Sequence, residues 1–157
     1  MNLEYLSLIY RELVLRKGLL WMNNLDIVKE RLYEKQASLV VMFKDGTIEE
    51  FYNSRVKDIV SILRENKEAL KDAYVADKVI GKVAGSILTV AGVKAIYADT
   101  ISEYAVPVLE NNNIKYEYKN RVEYIINNDK TGMCPMENKF KDETDLIKIY
   151  QYFVDIH

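Results

Sequence analysis

Three short clusters hold the side chains whose types and spacing could do chemistry. The first is Asp77, Lys78, Gly81 and Lys82. Read as the opening of a helix over 77–91, it puts Lys78 and Lys82 on one face four residues apart, where they repel unless an anion lies between them. Backbone N–H groups at a helix N-terminus add to that attraction for phosphate or carboxylate. Gly81 would open space on the side facing such a ligand. The plainer alternative is a first-turn acid favoured by the helix dipole, with solvated lysines beside it. The second cluster is Ser102 and Glu103. Thr100 and Glu103 have capping-box spacing and need no ligand, yet a helix start after a strand is also where open α/β sheets bind ligands. The third is Cys134 and Glu137. Cys134 precedes Pro135 and fits a helix N-cap, where the positive helix end activates a thiol. Glu137 would oppose that activation, accept a proton, or close a capping box. With no internal His to serve as base, a small buried thiol remains the alternative.

The elements that must position these groups are legible in outline. Leu25, Val28 and Leu32 give an amphipathic helix over 25–33. The run Leu39-Val40-Val41-Met42-Phe43 predicts a buried strand, and Asp45-Gly46 predicts a two-residue turn into a second strand over 47–52. Asn53 or Ser54 would cap a helix whose stripe is Val56, Ile59, Val60 and Leu63. Gly92 is placed to end the helix over 77–91. Strands are expected over 93–98 and 114–118, and a further one over 122–126. Pro107 demands a kink or a late start in the helix between the first two. Tyr116, Tyr118 and Tyr124 suit a sheet edge. Leu146, Ile149, Tyr150 and Phe153 lie on one face of a last helix over 143–156. Helices alternating with strands after an initial hairpin predict a three-layer α/β fold, its mixed sheet covered by helices on both faces.

The chain has 157 residues, with 22 Lys and Arg against 24 Asp and Glu. That near balance argues against a basic nucleic-acid-binding face. A single cysteine excludes an internal disulfide framework, and a single histidine, His157, excludes a His-based metal cluster in the body. Neither a signal-peptide stretch nor a membrane span is present in the sequence, so the expected compartment is the cytoplasm. Residues 1–21 carry the stripe Leu3, Leu6, Tyr10, Leu13 and Val14, interrupted by Gly18. They are read as an appended helix ahead of one domain over 22–157.

Taken together, Asp77-Lys78-Val79-Ile80-Gly81-Lys82-Val83-Ala84, Ser102-Glu103-Tyr104-Ala105 and Gly132-Met133-Cys134-Pro135-Met136-Glu137 resemble an uncharacterised family. Its members are domain-of-unknown-function proteins with a cytidine-deaminase-like fold, and the resemblance covers about residues 25–140. The parent fold's enzymes bind zinc through His or Cys at one helix start and Pro-Cys-x-x-Cys at the next, with a Glu shuttling protons. Here Ala76-Asp77-Lys78 and Thr100-Ile101-Ser102-Glu103 stand in those places. Catalytic zinc usually takes three protein ligands, which this chain does not supply there, so no zinc, no other cofactor and no zinc-dependent deamination are expected. What the resemblance implies is a pocket for a small anionic, nucleotide-like molecule, lined by Asp77, Lys78, Gly81, Lys82, Ser102, Glu103, Cys134 and Glu137. Two alternatives stand beside it. One is a metal-independent enzyme with Cys134 as nucleophile; the other is a homo-oligomeric interaction module, joined through its terminal helices, with a vestigial pocket.

Overall fold

Leu39 and Val41 face one side of their strand and Val40 and Met42 the other, and all four are buried. A strand wet on neither face needs a layer on each side, and the rest of the chain supplies them. The computed structural model describes residues 22–53 and 56–155; the appended helix expected over 1–21 lies outside the described residues. In chain order the elements are α1 (Asn24–Glu34), β1 (Leu39–Met42), β2 (Ile48–Phe51), α2 (Lys57–Glu65), β3 (Tyr74–Ile80) and α3 (Lys82–Ala91). They continue with β4 (Ala95–Ser102), α4 (Val106–Asn111), β5 (Lys115–Val122), α5 (Pro135–Phe140) and α6 (Leu146–Tyr150), which runs on as a π-helical turn over Gln151–Asp155. The sheet order is β2-β1-β3-β4-β5. β1 is antiparallel to both of its neighbours, while β3, β4 and β5 run parallel. The helical connections α3 and α4 make that parallel half feasible, because a parallel pair needs a crossover.

Among the described residues, α1 alone covers one face of the sheet. Its Leu25, Val28 and Leu32 pack on Val40, Met42, Ala76, Ala95 and Tyr97, each contributing about 1.5–3 kcal/mol by leaving water. Asn23 caps the helix, its side chain accepting from the Asp26 N–H at 2.8 Å. The opposite face is the larger core: Val41, Val75, Ile96 and Ala98 meet Ile59 and Leu63 of α2, Ile87 and Leu88 of α3, Leu109 of α4 and Ile149 of α6. The result is an α/β fold with an open mixed sheet between helices, as the alternation of elements predicts. No helix among the described residues is long and apolar enough to cross a membrane. β5 forms one sheet edge, where Tyr116 and Tyr118 stack at 6.2 Å between ring centroids.

Several local expectations are corrected. The hairpin forms, but through a connection over 43–47 in which Gly46 alone has a positive φ (91°). Phe43 N–H donates to the Thr47 carbonyl at 2.8 Å, and Gly46 N–H to the Phe43 carbonyl at 2.9 Å. α2 starts at Lys57 with Val56 as an N-cap that makes no side-chain bond; the Asn53 amide bonds to Asp58 instead, and Ser54, the other expected cap, lies outside the described residues. The largest correction concerns 77–80, which is strand and not helix. Asp77 sits between Leu39 on one side and Ala98 on the other, and two ladders together with β-branched Val75, Val79 and Ile80 outweigh the local helical pattern. β4 likewise continues through Thr100, Ile101 and Ser102, paired with Asn120, Arg121 and Val122. The capping-box reading of Thr100 and Glu103 therefore fails, and α4 starts late, at Val106, with Pro107 in its first turn. Of the strand expected over 122–126, Val122 ends β5 and beyond it only the bridge Ile126 to Met133 forms. Gly92 ends α3 in the left-handed conformation as expected (φ 82°).

Candidate functional site

Glu137 organises the site. It lies in the first turn of α5, behind Cys134 at the N-cap and Pro135 at the first helical position, and it is 2% exposed. Its carboxylate turns away from its own helix start. Oε1 accepts from the Lys82 N–H at 2.8 Å and from the Ser102 hydroxyl at 2.6 Å. Oε2 accepts from the Ile125 N–H. The capping box expected between Cys134 and Glu137 is therefore not made; the Cys134 N–H bonds to the Ile125 carbonyl at 2.7 Å. One buried acid thus ties the first residue of α3, the last residue of β4 and the segment after β5 together.

That approach requires Gly81. A Cβ built there would meet Glu137 Oε1 and Ile125 Cγ1, each at 2.9 Å, closer than real contacts. The backbone itself is extended (φ −100°, ψ −171°), so the requirement is for space rather than for a special conformation. Gly81→Ala should cost about 1–3 kcal/mol, the usual range for overpacking, read as a lower urea midpoint at unchanged slope. A variant as stable as the parent would show that Glu137 can move aside freely.

Gly81, Lys82, Cys134 and Glu137 line one cavity of about 70 Å³, walled by Val79, Val83, Ala84, Ile125 and Met136. Lys82 retains 9% of its exposure. Burial pulls its ammonium pKa down, while Asp142, Glu143 and Glu137 act the other way. An adjoining recess of about 240 Å³ shares Val79 and Ile125 with the first and is lined also by Ser38, Asp77, Lys78 and Asn128. Asp77 is 6% exposed. Burial pushes its carboxyl up to about 7, with Asp58 adding repulsion, while the N–H groups of Val79 (3.0 Å) and Lys78 act in the other direction.

Five of the sequence-predicted residues, Gly81, Lys82, Ser102, Cys134 and Glu137, are thus brought together, with Asp77 and Lys78 next door. Lys78 and Lys82 do not share a helix face, because Lys78 belongs to β3. Glu103 stands apart: exposed Arg121 grips it at 2.7 and 2.6 Å and holds its carboxyl below the usual range. It lines neither cavity. Sequence reasoning missed Ile125, whose N–H and side chain both serve the site, and Asp58, whose repulsion reaches Asp77. Ile125 falls within the strand expected over 122–126, where nothing sets it apart from Tyr124 and Ile126 as the residue that serves the site.

An open mixed sheet with a parallel half, layered between helices and with recesses beside the start of α3, places the molecule among the three-layer α/β folds. A family model described as "TM1506: Domain of unknown function (DUF1893)" matches residues 27–156, and the chain belongs to that family. The match takes in α6, which lies beyond the span of about 25–140 over which the motifs carry the resemblance. A crystal structure of a DUF1893 family protein (TM1506) from Thermotoga maritima is similar with a TM-score of 0.74 and 24% identity, covering 83% of this chain and 89% of that one. At that identity the likeness speaks for the fold alone. No curated protein matches the chain.

Proposed function

We propose that this chain binds a small anionic, nucleotide-like molecule at the start of α3, in the position a cytidine-deaminase-like fold gives to its nucleotide, without zinc-dependent deamination. The observation that carries the reading is the meeting of Gly81, Lys82, Cys134 and Glu137 around one cavity, with Asp77 and Lys78 in the recess beside it. Both lie near the carboxyl end of β3, and open α/β sheets bind ligands outside the carboxyl ends of their strands. The first N–H groups of α3 have no intrahelical partner. Glu137 takes that of Lys82, and Val83 and Ala84 line the cavity one and two residues on. Lys78, exposed on β3, is placed to hold the anionic group. The donor set supports the absence of zinc chemistry. The zinc deaminases hold their metal through three His or Cys ligands, whereas the sequence has one Cys, Cys134, and one His, His157.

A nucleoside monophosphate or diphosphate is expected to raise the melting temperature. A ligand bound only to the native state at about 100-fold excess over its dissociation constant adds about 2.7 kcal/mol. Lys78→Ala should abolish that shift at little intrinsic cost, since an exposed lysine contributes little to folding. Scanning fluorimetry over a nucleotide panel decides the matter. Silence across the panel, or an undiminished shift in Lys78→Ala, would remove the reading.

A further inference from the structure

We propose that Lys82 is a reactive amine that condenses with a small aldehyde admitted to the cavity at the start of α3, forming an imine. The position of the side chain carries this. Lys82 is the first residue of α3, almost fully enclosed, and lines a cavity whose other walls are largely apolar: Val79, Val83, Ala84, Ile125 and Met136. Its ammonium makes no ion pair within 4.0 Å among the described residues. A charged amine in such surroundings loses hydration without gaining a close counter-ion, which favours its neutral, nucleophilic form. The acids acting on it are Glu137 of α5 and Asp142 and Glu143 in the link to α6, and their attraction falls short of the effect of burial. Glu137 is further committed, with its oxygens occupied by three donors.

The cavity volume sets the class of partner. About 70 Å³ is several times the roughly 10–15 Å³ that one water needs on the same measure, which suits a carbonyl compound of a few heavy atoms. The neutral Nζ attacks the carbonyl carbon, forming a C–N bond while the carbonyl π electrons move to oxygen, which takes up a proton. The nitrogen gives up its two hydrogens as protons, one balancing that uptake by oxygen and one passing to the carbinolamine hydroxyl, which leaves as water. Aldehyde plus amine therefore gives imine plus one water, with no change of oxidation state. The inference shares the cavity of the proposed nucleotide site but stands whether or not a nucleotide binds there.

The other lysines of the chain are internal controls. The full-length protein is exposed briefly to limiting acetaldehyde with cyanoborohydride at pH 7, and each lysine's ethylation is read by peptide mass mapping. Lys82 should be modified several-fold ahead of exposed Lys78 and Lys119, and this preference should shrink at pH 10, where the exposed amines also deprotonate. Ala84→Leu, which fills the cavity, should erase the preference and leave the other lysines as they were. Labelling of Lys82 at or below the rate of the exposed lysines at pH 7 overturns the proposal, whatever the nucleotide panel shows. So does a preference that fails to narrow at pH 10. Both readings use the unmodified chain, so the test stands even if Ala84→Leu does not fold.

Discussion

Glu137→Ala is expected to cost about 3–6 kcal/mol of folding stability, the largest effect of any single substitution at the site. The residue contributes no packing that a neighbour could replace. It supplies the acceptors for the Lys82 N–H, the Ser102 hydroxyl and the Ile125 N–H, and all four residues are buried. A buried donor left without a partner costs about 1–3 kcal/mol, and three are orphaned at once. Set against a total of about 5–15 kcal/mol for a typical domain, that is a large part of the margin. Glu137→Gln should fall between the parent and Ala. Its carbonyl still accepts from one side, while its NH₂ is forced against an N–H that needs an acceptor. Urea unfolding followed by circular dichroism reads both. Glu103→Ala is the built-in contrast, because that acid's pair with Arg121 is exposed and exposed pairs are worth about 0–1 kcal/mol. A loss below about 1 kcal/mol in Glu137→Ala would mean that water enters freely and that the carboxylate does not hold the segment after β5 in place.

The same residue shows what was and was not legible in the sequence. Glu137 stood out because it lies three residues after Cys134, the spacing of a capping box, and the spacing was informative for the wrong reason. Local pattern speaks about partners three or four residues away. The partners Glu137 uses are 12, 35 and 55 residues distant. The apolar run Leu39 to Phe43 and the glycine after Asp45 made the hairpin readable, and the stripe Leu25, Val28, Leu32 made α1 readable, because these are properties of one element and its solvent. The stretch Asp77-Lys78-Val79-Ile80 was misread for the converse reason. Val79 and Ile80 favour a strand only weakly against the helical pattern that follows, and the stretch becomes a central strand because β1 and β4 lie on either side of it. Gly81, read as a small residue within a helix, is instead the extended residue before one. The motifs therefore pointed to the right residues while their roles waited on pairings set by the whole sheet. Glu103 is the exception, since its neighbour Ser102 belongs to the site and Glu103 itself faces Arg121.

Asp77→Asn is expected to stabilise the protein at pH 8 and to leave it unchanged at pH 4. In the folded chain burial raises the Asp77 carboxyl from 3.8 to about 7. Below pH 4 the group is protonated in both folded and unfolded chains and has no net effect. Between about 4 and 7 the unfolded chain ionises first, so the native state binds more protons and stability falls as pH rises. Above 7 both forms are ionised and the full cost of the buried charge is carried. Asn removes the charge and keeps an oxygen to accept the Val79 N–H, now held at 3.0 Å by Oδ1. The gain at pH 8 is on the order of 2–4 kcal/mol, and it should shrink steadily as the pH is lowered to 4. The same proton bears on the site. Protonated Asp77 presents no charge beside Lys78 in their shared recess, whereas the anion formed above pH 7 repels a phosphate there. A nucleotide-induced melting shift should therefore weaken between pH 6 and 8 in the parent and hold level in Asp77→Asn. A variant less stable than the parent at pH 8, or offset equally at both ends of the range, would show that Asp77 is ionised and well served throughout. Its burial would then be a structural matter without consequence for an anionic ligand.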